Sequence, residues 1–92
     1  MQFEWDEVKA AQNLAKHGVP LEYSAQVFLD PCRLDSEDRR HDYGEERRFT
    51  FGKVEGRIYA VAYTLRGETI RFISVRKANE REQRRYHETL ST

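Results

Sequence analysis

The chain has a single cysteine, Cys32, in its 92 residues, so it has no internal disulfide, and that usage fits a reducing compartment. No segment approaches the length of a membrane span, and the opening "MQFEWDE" lacks the basic and apolar regions of a signal peptide. These absences point to the cytoplasm. There is no Gly-rich phosphate loop and no nucleophile elbow. Cys32, His17, His41 and His87 show no recognised ligand spacing, and no paired acidic motif marks a magnesium site, so neither a metal nor another cofactor is expected. Internal repeats and low-complexity segments are missing too. So is net charge: 16 Lys and Arg balance 16 Asp and Glu. The resulting pI of 6.8 counts against a tight RNA binder.

What is present bounds the rest. A chain this short buries one modest core, so residues 1–92 are read as one domain. Hydrophobic residues are 38% and charged residues 35%, and with five Phe, five Tyr and one Trp the aromatics must supply much of the buried area. The charge is unevenly spread. Residues 1–46 hold five Lys and Arg against eleven Asp and Glu, a net of minus six, and residues 47–92 hold eleven against five, a net of plus six. Such a split suggests either a polyanion-binding face or a match between acidic and basic halves within the molecule.

Along the chain, "QFEW" is a strand candidate, and Asp6 reads as the N-cap of a helix running to His17, which Gly18 and Pro20 stop. Val8, Ala11, Leu14 and Ala15 fall on its apolar side by spacing, and Lys9, Asn13, Lys16 and His17 on the opposite side. Pro20 opens a second short helix in which Leu21, Ala25 and Phe28 share a face, and Asp30-Pro31 ends it. The polar stretch "CRLDSEDRRHDYGEE" reads as a long loop with one short strand around Leu34. "RRFTFGK", "RIYAVAYT" and "TIRFISVR" then form an antiparallel meander, with turns at Val54-Glu55-Gly56 and Leu65-Arg66-Gly67. Asn79 caps a last helix, with Glu82 completing a variant capping box, and Tyr86 and Leu90 as its only apolar anchors. The expectation is an α+β domain with the helices on one face of the sheet.

"FEWDEVKAAQNLAKHGV", "VFLDP", "YGEERRFTFG" and "IRFISVRKANEREQRRY" resemble, in order and spacing, the BrnT toxins of type II toxin–antitoxin pairs. The combination W-D-x-x-K-x-x-x-N-x-x-K-H-G with I-S-x-R-K-A is specific, and the resemblance covers nearly the whole chain. Val75, where the family often has Ala, and the acidic residues 35–46 depart from it mildly. The resemblance implies a RelE-like fold, ribonuclease activity that halts translation, and a BrnA-type antitoxin with a ribbon-helix-helix domain. It also implies operon repression by the hetero-oligomer of toxin and antitoxin, so that operator DNA is met only through the antitoxin.

Metal-free RNA cleavage needs a base for the attacking 2′-hydroxyl, an acid for the leaving 5′-oxygen and cations for the phosphorane. Arg76 is the first choice for the cation, because its planar fork meets two phosphate oxygens and never deprotonates. On strict alternation it shares a sheet face with Ile70, Phe72 and Ser74, and Arg71 lies on the other face with Ile73 and Val75. The plainer reading of Arg76 is a pairing with Glu82 that closes the helix–sheet junction. His17 suits acid–base work near neutrality, and it equally suits a helix end, where the dipole favours it. Lys9 completes the cationic side of the catalytic set. Glu82, as a base, and Tyr86, as a proton donor or stacking ring, lie one turn apart and share a side of the last helix, although capping and core packing account for them as well. Lys16, Asn13, Lys77, Arg81 and Trp5 are the candidates for holding RNA, although core packing accounts for Trp5 and a solvated helix face for Lys9 or Lys16 taken singly. The rival reading is a non-enzymatic adaptor that binds a DNA-binding antitoxin and modulates repression. The weakly anchored last helix, an open sheet edge and the Arg81, Arg84 and Arg85 patch are its natural docking surfaces.

Overall fold

The computed structural model describes residues 1–38 and 44–90. The elements are β1 (Gln2–Glu4), α1 (Glu7–His17), α2 (Tyr23–Val27), β2 (Leu34–Asp38), β3 (Arg47–Val54), β4 (Arg57–Arg66), β5 (Thr69–Lys77) and α3 (Glu80–Leu90). They build an α+β domain around one five-stranded sheet of order β1-β5-β4-β3-β2. Strands β2 to β5 pair antiparallel, whereas β1 pairs parallel to β5 through Gln2–Thr69, Phe3–Ile70 and Glu4–Arg71. The sheet is therefore mixed, and the purely antiparallel expectation fails at β1. No helix among the described residues is long and apolar enough to cross a membrane.

Local chemistry sets the element ends. The Asp6 carboxylate accepts from the Val8 and Lys9 N–H groups, and Gly18, at φ 71°, lets its own N–H reach the Leu14 carbonyl. In the β3–β4 hairpin, Glu55 and Gly56 both adopt positive φ, as a mirror-image turn that follows the strand twist requires. At the start of α3 the capping box is reciprocal: Glu82 N–H donates to Asn79 Oδ1 at 2.8 Å, and Asn79 N–H donates to Glu82 Oε1 at 2.9 Å. The second helix begins later than Pro20, because residues 20–25 first close a tight turn with Tyr23, Ser24 and Ala25 N–H groups donating three residues back. The short strand expected around Leu34 is β2, which takes in the first part of the expected loop's acidic stretch, Asp35 to Asp38. Residues 39–43 of that loop lie outside the described residues.

The helices do not share one face. Val19, Leu21 and Val27 pack with Tyr59, Val61, Tyr63, Ile70, Phe72 and Val75 to form the larger core, closed by Phe3, Trp5 and Phe28. Phe72 is its centre, with Phe3 stacked at 5.0 Å and Trp5 at 5.9 Å between ring centroids. On the opposite face a smaller core joins Phe51, Ile58 and Ala60 to Ala78 and Tyr86, so α3 covers the side that α1 and α2 leave open. Strand β4 is buried on both sides and carries both cores, as its unbroken apolar run predicts.

The apolar side assigned to α1 is also corrected. Val8 is 65% and Leu14 50% exposed, while Ala10 packs on the larger core and Asn13 is buried. The contact with β5 decides this. Asn13 Nδ2 donates to the Val19 and Val75 carbonyls at 2.9 Å each, and Asn13 Oδ1 accepts the Val75 N–H at 3.0 Å. One polar side chain, rather than the apolar stripe, orients the helix.

Packing is closest where α2 crosses β3. A Cβ added at Gly52 would lie 2.8 Å from Val27 Cγ1 and 2.9 Å from the Val27 carbonyl oxygen, and the backbone oxygen has no rotamer by which to retreat. Gly52→Ala is therefore expected to lower unfolding stability by about 1–3 kcal/mol, read as a lower denaturant midpoint at unchanged slope.

Candidate active site

Strand β5 carries the site because its regular alternation is broken. Ala62 pairs with Ser74 but Tyr63 pairs with Phe72, so β5 has one extra residue at this point. Val75 thereby returns to the face of Ile70 and Phe72, and Arg76 moves to the face of its partner Ala60. Arg71, opposite Thr64, lies on that same second face. Strict alternation had placed the two arginines on opposite faces and Arg76 beside Ile70 and Phe72, and the bulge reverses both statements. Each arginine meets a carboxylate: Arg71 lies 3.4 Å from Glu4 on β1, and Arg76 grips Glu82 through two bonds of 2.7 and 2.9 Å.

Glu82 thus has two duties, because its Oε1 also accepts the Asn79 N–H. The plainer reading of Arg76 is present in the geometry: strand end and helix start are tied by a bidentate fork. The pair is only partly buried, with the Arg76 side chain 32% exposed.

Beyond β1, the outer edge of β5 faces α1. There Lys9, Gln12, Asn13, Lys16 and His17 meet Ile73 and Ser74 around a cleft of about 290 Å³. Four of the predicted site residues, Lys9, Asn13, Lys16 and His17, are brought together here, and Arg76 lies close enough to act on His17. The imidazole pKa is held below 6.5 by burial first, then by the Lys16 and Arg76 charges. The shift favours the neutral imidazole, the form that can accept a proton. Ser74 and Gln12 join the cleft although neither was singled out from sequence; the bulge that presents Ser74 leaves no turn residue as a signal.

Other predicted residues stand elsewhere. Asn13 lines the cleft wall, but its carboxamide is committed to the Val19 and Val75 backbone, so it supports the site in place of holding RNA. Trp5 stacks on Phe72 against the larger core. Tyr86 diverges from Glu82: its hydroxyl donates to Asp30 Oδ2 at 2.5 Å. Burial, the Asp30 hydrogen bond and the Asp30 charge push the phenol well above its ordinary value, which makes it a poor proton donor. Arg81 is exposed on α3. Lys77 lines a second pocket, of about 400 Å³, with Lys53, Arg57 and His87. Lys53 and Arg57 were not found from sequence, although they flank a two-residue turn two strands away from the end of β5. Among the described residues, no three His, Cys, Asp or Glu side chains gather as a metal site would require.

Residues 5–82 match the family described as the ribonuclease toxin, BrnT, of type II toxin–antitoxin systems. The chain belongs to the BrnT family. The matched span runs from Trp5 through the Arg76–Glu82 junction, and so contains every residue of the α1–β5 cleft. No curated protein matches the chain significantly. As a BrnT toxin the chain is a ribonuclease of a type II pair, and an antitoxin is its implied partner.

Two outcomes test this geometry. In an NMR titration the His17 ring is expected to titrate below pH 6.5, with the midpoint moving upward, but not fully to 6.5, in Lys16→Gln, because burial and Arg76 persist. Asp30 supplies the second. Burial raises its pKa, but the Tyr86 hydroxyl, the Lys53 and Cys32 N–H groups and the Lys53 charge outweigh burial and hold it below 3.8. A depressed carboxylate stabilises the fold fully above its unfolded value and loses that contribution as pH falls toward the folded one. Asp30→Asn should cost about 1–2 kcal/mol at pH 7 and show a shallower loss of stability below pH 3.8 in thermal melts.

Proposed function

We propose that this BrnT protein is a metal-independent endoribonuclease that cuts RNA by attack of the RNA's own 2′-hydroxyl and thereby inhibits translation. The observation that carries this reading is the gathering of His17, Lys9 and Lys16 around one cleft, within the field of Arg76. Neutral His17 takes the 2′-hydroxyl proton. The 2′-oxygen then bonds to phosphorus, the bond from phosphorus to the 5′-oxygen breaks, and that oxygen leaves with a proton from solvent. The products are a 2′,3′-cyclic phosphate and a 5′-hydroxyl.

Lys9, Lys16 and Arg76 spread positive charge around the phosphorane, where two negative oxygens crowd one centre. Glu82 sets the direction of the Arg76 fork and serves as a positioning residue. A RelE-like ancestry fits the order of two N-terminal helices, a meander and a C-terminal helix. The partner in this reading is a BrnA-like ribbon-helix-helix antitoxin, which covers the cleft and carries the complex to operator DNA.

One observation favours the adaptor reading: the guanidinium assigned to catalysis is already neutralised by Glu82 in the absence of RNA. The two readings separate on a labelled single-stranded RNA incubated in EDTA. The native chain should yield cyclic-phosphate ends, and Arg76→Ala should lose about 100-fold or more in rate, with its melting temperature recorded to show that it is folded. Equal cleavage by a folded Arg76→Ala removes the catalytic assignment. No cleavage by the native chain, with antitoxin binding kept, selects the adaptor.

A further inference from the structure

The pocket between the β3–β4 hairpin, the end of β5 and α3 is larger than the α1–β5 cleft and gathers three cations. Lys53, Arg57 and Lys77 line it with Gly56, Ile58, Ala78, Gln83 and His87, and no carboxylate does. Arg33, Arg48, Arg66, Arg71 and Arg76 each meet a carboxylate elsewhere in the protein. The carboxylate whose field reaches Lys53 is Asp30, and it already accepts from the Tyr86 hydroxyl and from the Lys53 and Cys32 N–H groups.

The backbone places all three cations, and a ring contact orients one of them. Lys53 Nζ lies 5.9 Å from the centroid of the buried Tyr86 ring. Arg57 follows the two-residue turn whose Gly56, at φ 82°, leaves the pocket mouth without a side chain. Lys77 ends β5 directly after Arg76, and Gln83 Nε2 is fixed on the Ala78 carbonyl. Three cations arriving from two strand ends and a turn suit a group that offers acceptor oxygens in several directions, as a phosphodiester does.

We infer that this pocket binds a backbone phosphate of RNA outside the bond being cut, making it a substrate subsite next to Arg76. The inference rests on the ribonuclease reading for its occupant. It assigns Lys53, Arg57 and Lys77 to binding and leaves the chemistry to the α1–β5 cleft. It also answers the near-neutral pI, because affinity for a polyanion depends on local cations that are not internally neutralised.

The test is fluorescence anisotropy of a labelled, uncleavable 2′-O-methyl oligoribonucleotide across a salt series. Lys53→Gln with Lys77→Gln should weaken binding about tenfold at 0.1 M salt and flatten the log–log salt slope by about 1.4, two single-strand phosphate contacts' worth. Lys53→Arg with Lys77→Arg should keep both, and Arg66→Gln should match the native chain. Arg57→Gln alone, flattening the slope by about 0.7, supplies the test if the double variant fails to fold.

Unchanged affinity and slope in folded variants overturn the inference, as does an absence of RNA binding by the native chain. Phosphorus NMR with inorganic phosphate distinguishes the source: lysine-dependent binding of the free ion with an unchanged RNA slope makes the pocket a small-anion site and overturns RNA as its occupant. Cleavage measured in parallel keeps the two readings apart. Lysine-dependent binding without cleavage upholds the subsite and removes the nuclease, whereas cleavage with lysine-independent binding does the reverse.

Discussion

The structure depends on the carboxamide of Asn13. Strand β1 accompanies β5 only from Thr69 to Arg71, so from Phe72 onward the outer edge of β5 has no strand beside it among the described residues. Exposed backbone groups at such an edge invite pairing with another chain. Asn13 answers one N–H and one carbonyl of Val75 as a neighbouring strand would, and its other amide hydrogen fixes the Val19 carbonyl. A buried amide with three hydrogen bonds is costly to replace, because an apolar side chain there would strand the Val75 groups without water. The bonds settle where α1 lies and which of its sides faces the sheet. They bring Lys9, Lys16 and His17 to the edge of the strand that carries Arg76.

The acidic and basic halves of the chain largely find each other across the sheet. Asp35 on β2 accepts from Arg33, from Arg48 on β3 and from the Tyr63 hydroxyl on β4, and Glu46 and Glu45 meet Arg48 and Arg66. Tyr63, buried beside Asp35, is pushed up to about 12 and stays a neutral donor. This pairing gathers at one end of the sheet, near the residues that precede and follow segment 39–43. Lys53, Arg57 and Lys77 stand at the other end. A net charge of zero therefore conceals an uneven pairing of charge along the strands, and whole-chain pI says little about what either end attracts.

Much of the fold was legible because its signals are local. Asp6, Gly18, the Glu55-Gly56 turn and the Asn79–Glu82 box each act within a few residues, and each stands where the sequence puts it. The misplacements all involve partners far apart in the chain. The parallel pairing of β1 with β5 spans the molecule, and neither "QFEW" nor "TIRFISVR" encodes it. The β5 bulge has no glycine or proline to announce it, and one inserted residue is enough to move Arg76 onto the face of Arg71. On α1, helical spacing correctly separated Val8 and Leu14 from Lys9, Asn13 and His17, but hydrophobicity chose the wrong side as the inner one. The cleft was legible as a set of polar residues on one helix; the cationic pocket, assembled from a turn and two strand ends, was not.

The contact between Tyr86 and Asp30 passes around the edge of the sheet. Beyond Leu34, no strand among the described residues pairs with the outer side of β3, and there Asp30 takes the Lys53 N–H while reaching the phenol of the helix on the other face. The two hydrophobic cores are otherwise divided by the sheet, and α3 contributes one buried side chain, Tyr86, to the smaller one. Regions with so little buried area open at a lower free energy than the whole fold. The C-terminal helix is thus expected to open ahead of the whole fold, a departure that would uncover Ala60 and Phe51, free Glu82 from Arg76 and leave the aromatic core beneath α1 and α2 standing. Tyr86–Asp30 and the Arg76–Glu82 fork are both ties that such an opening has to break.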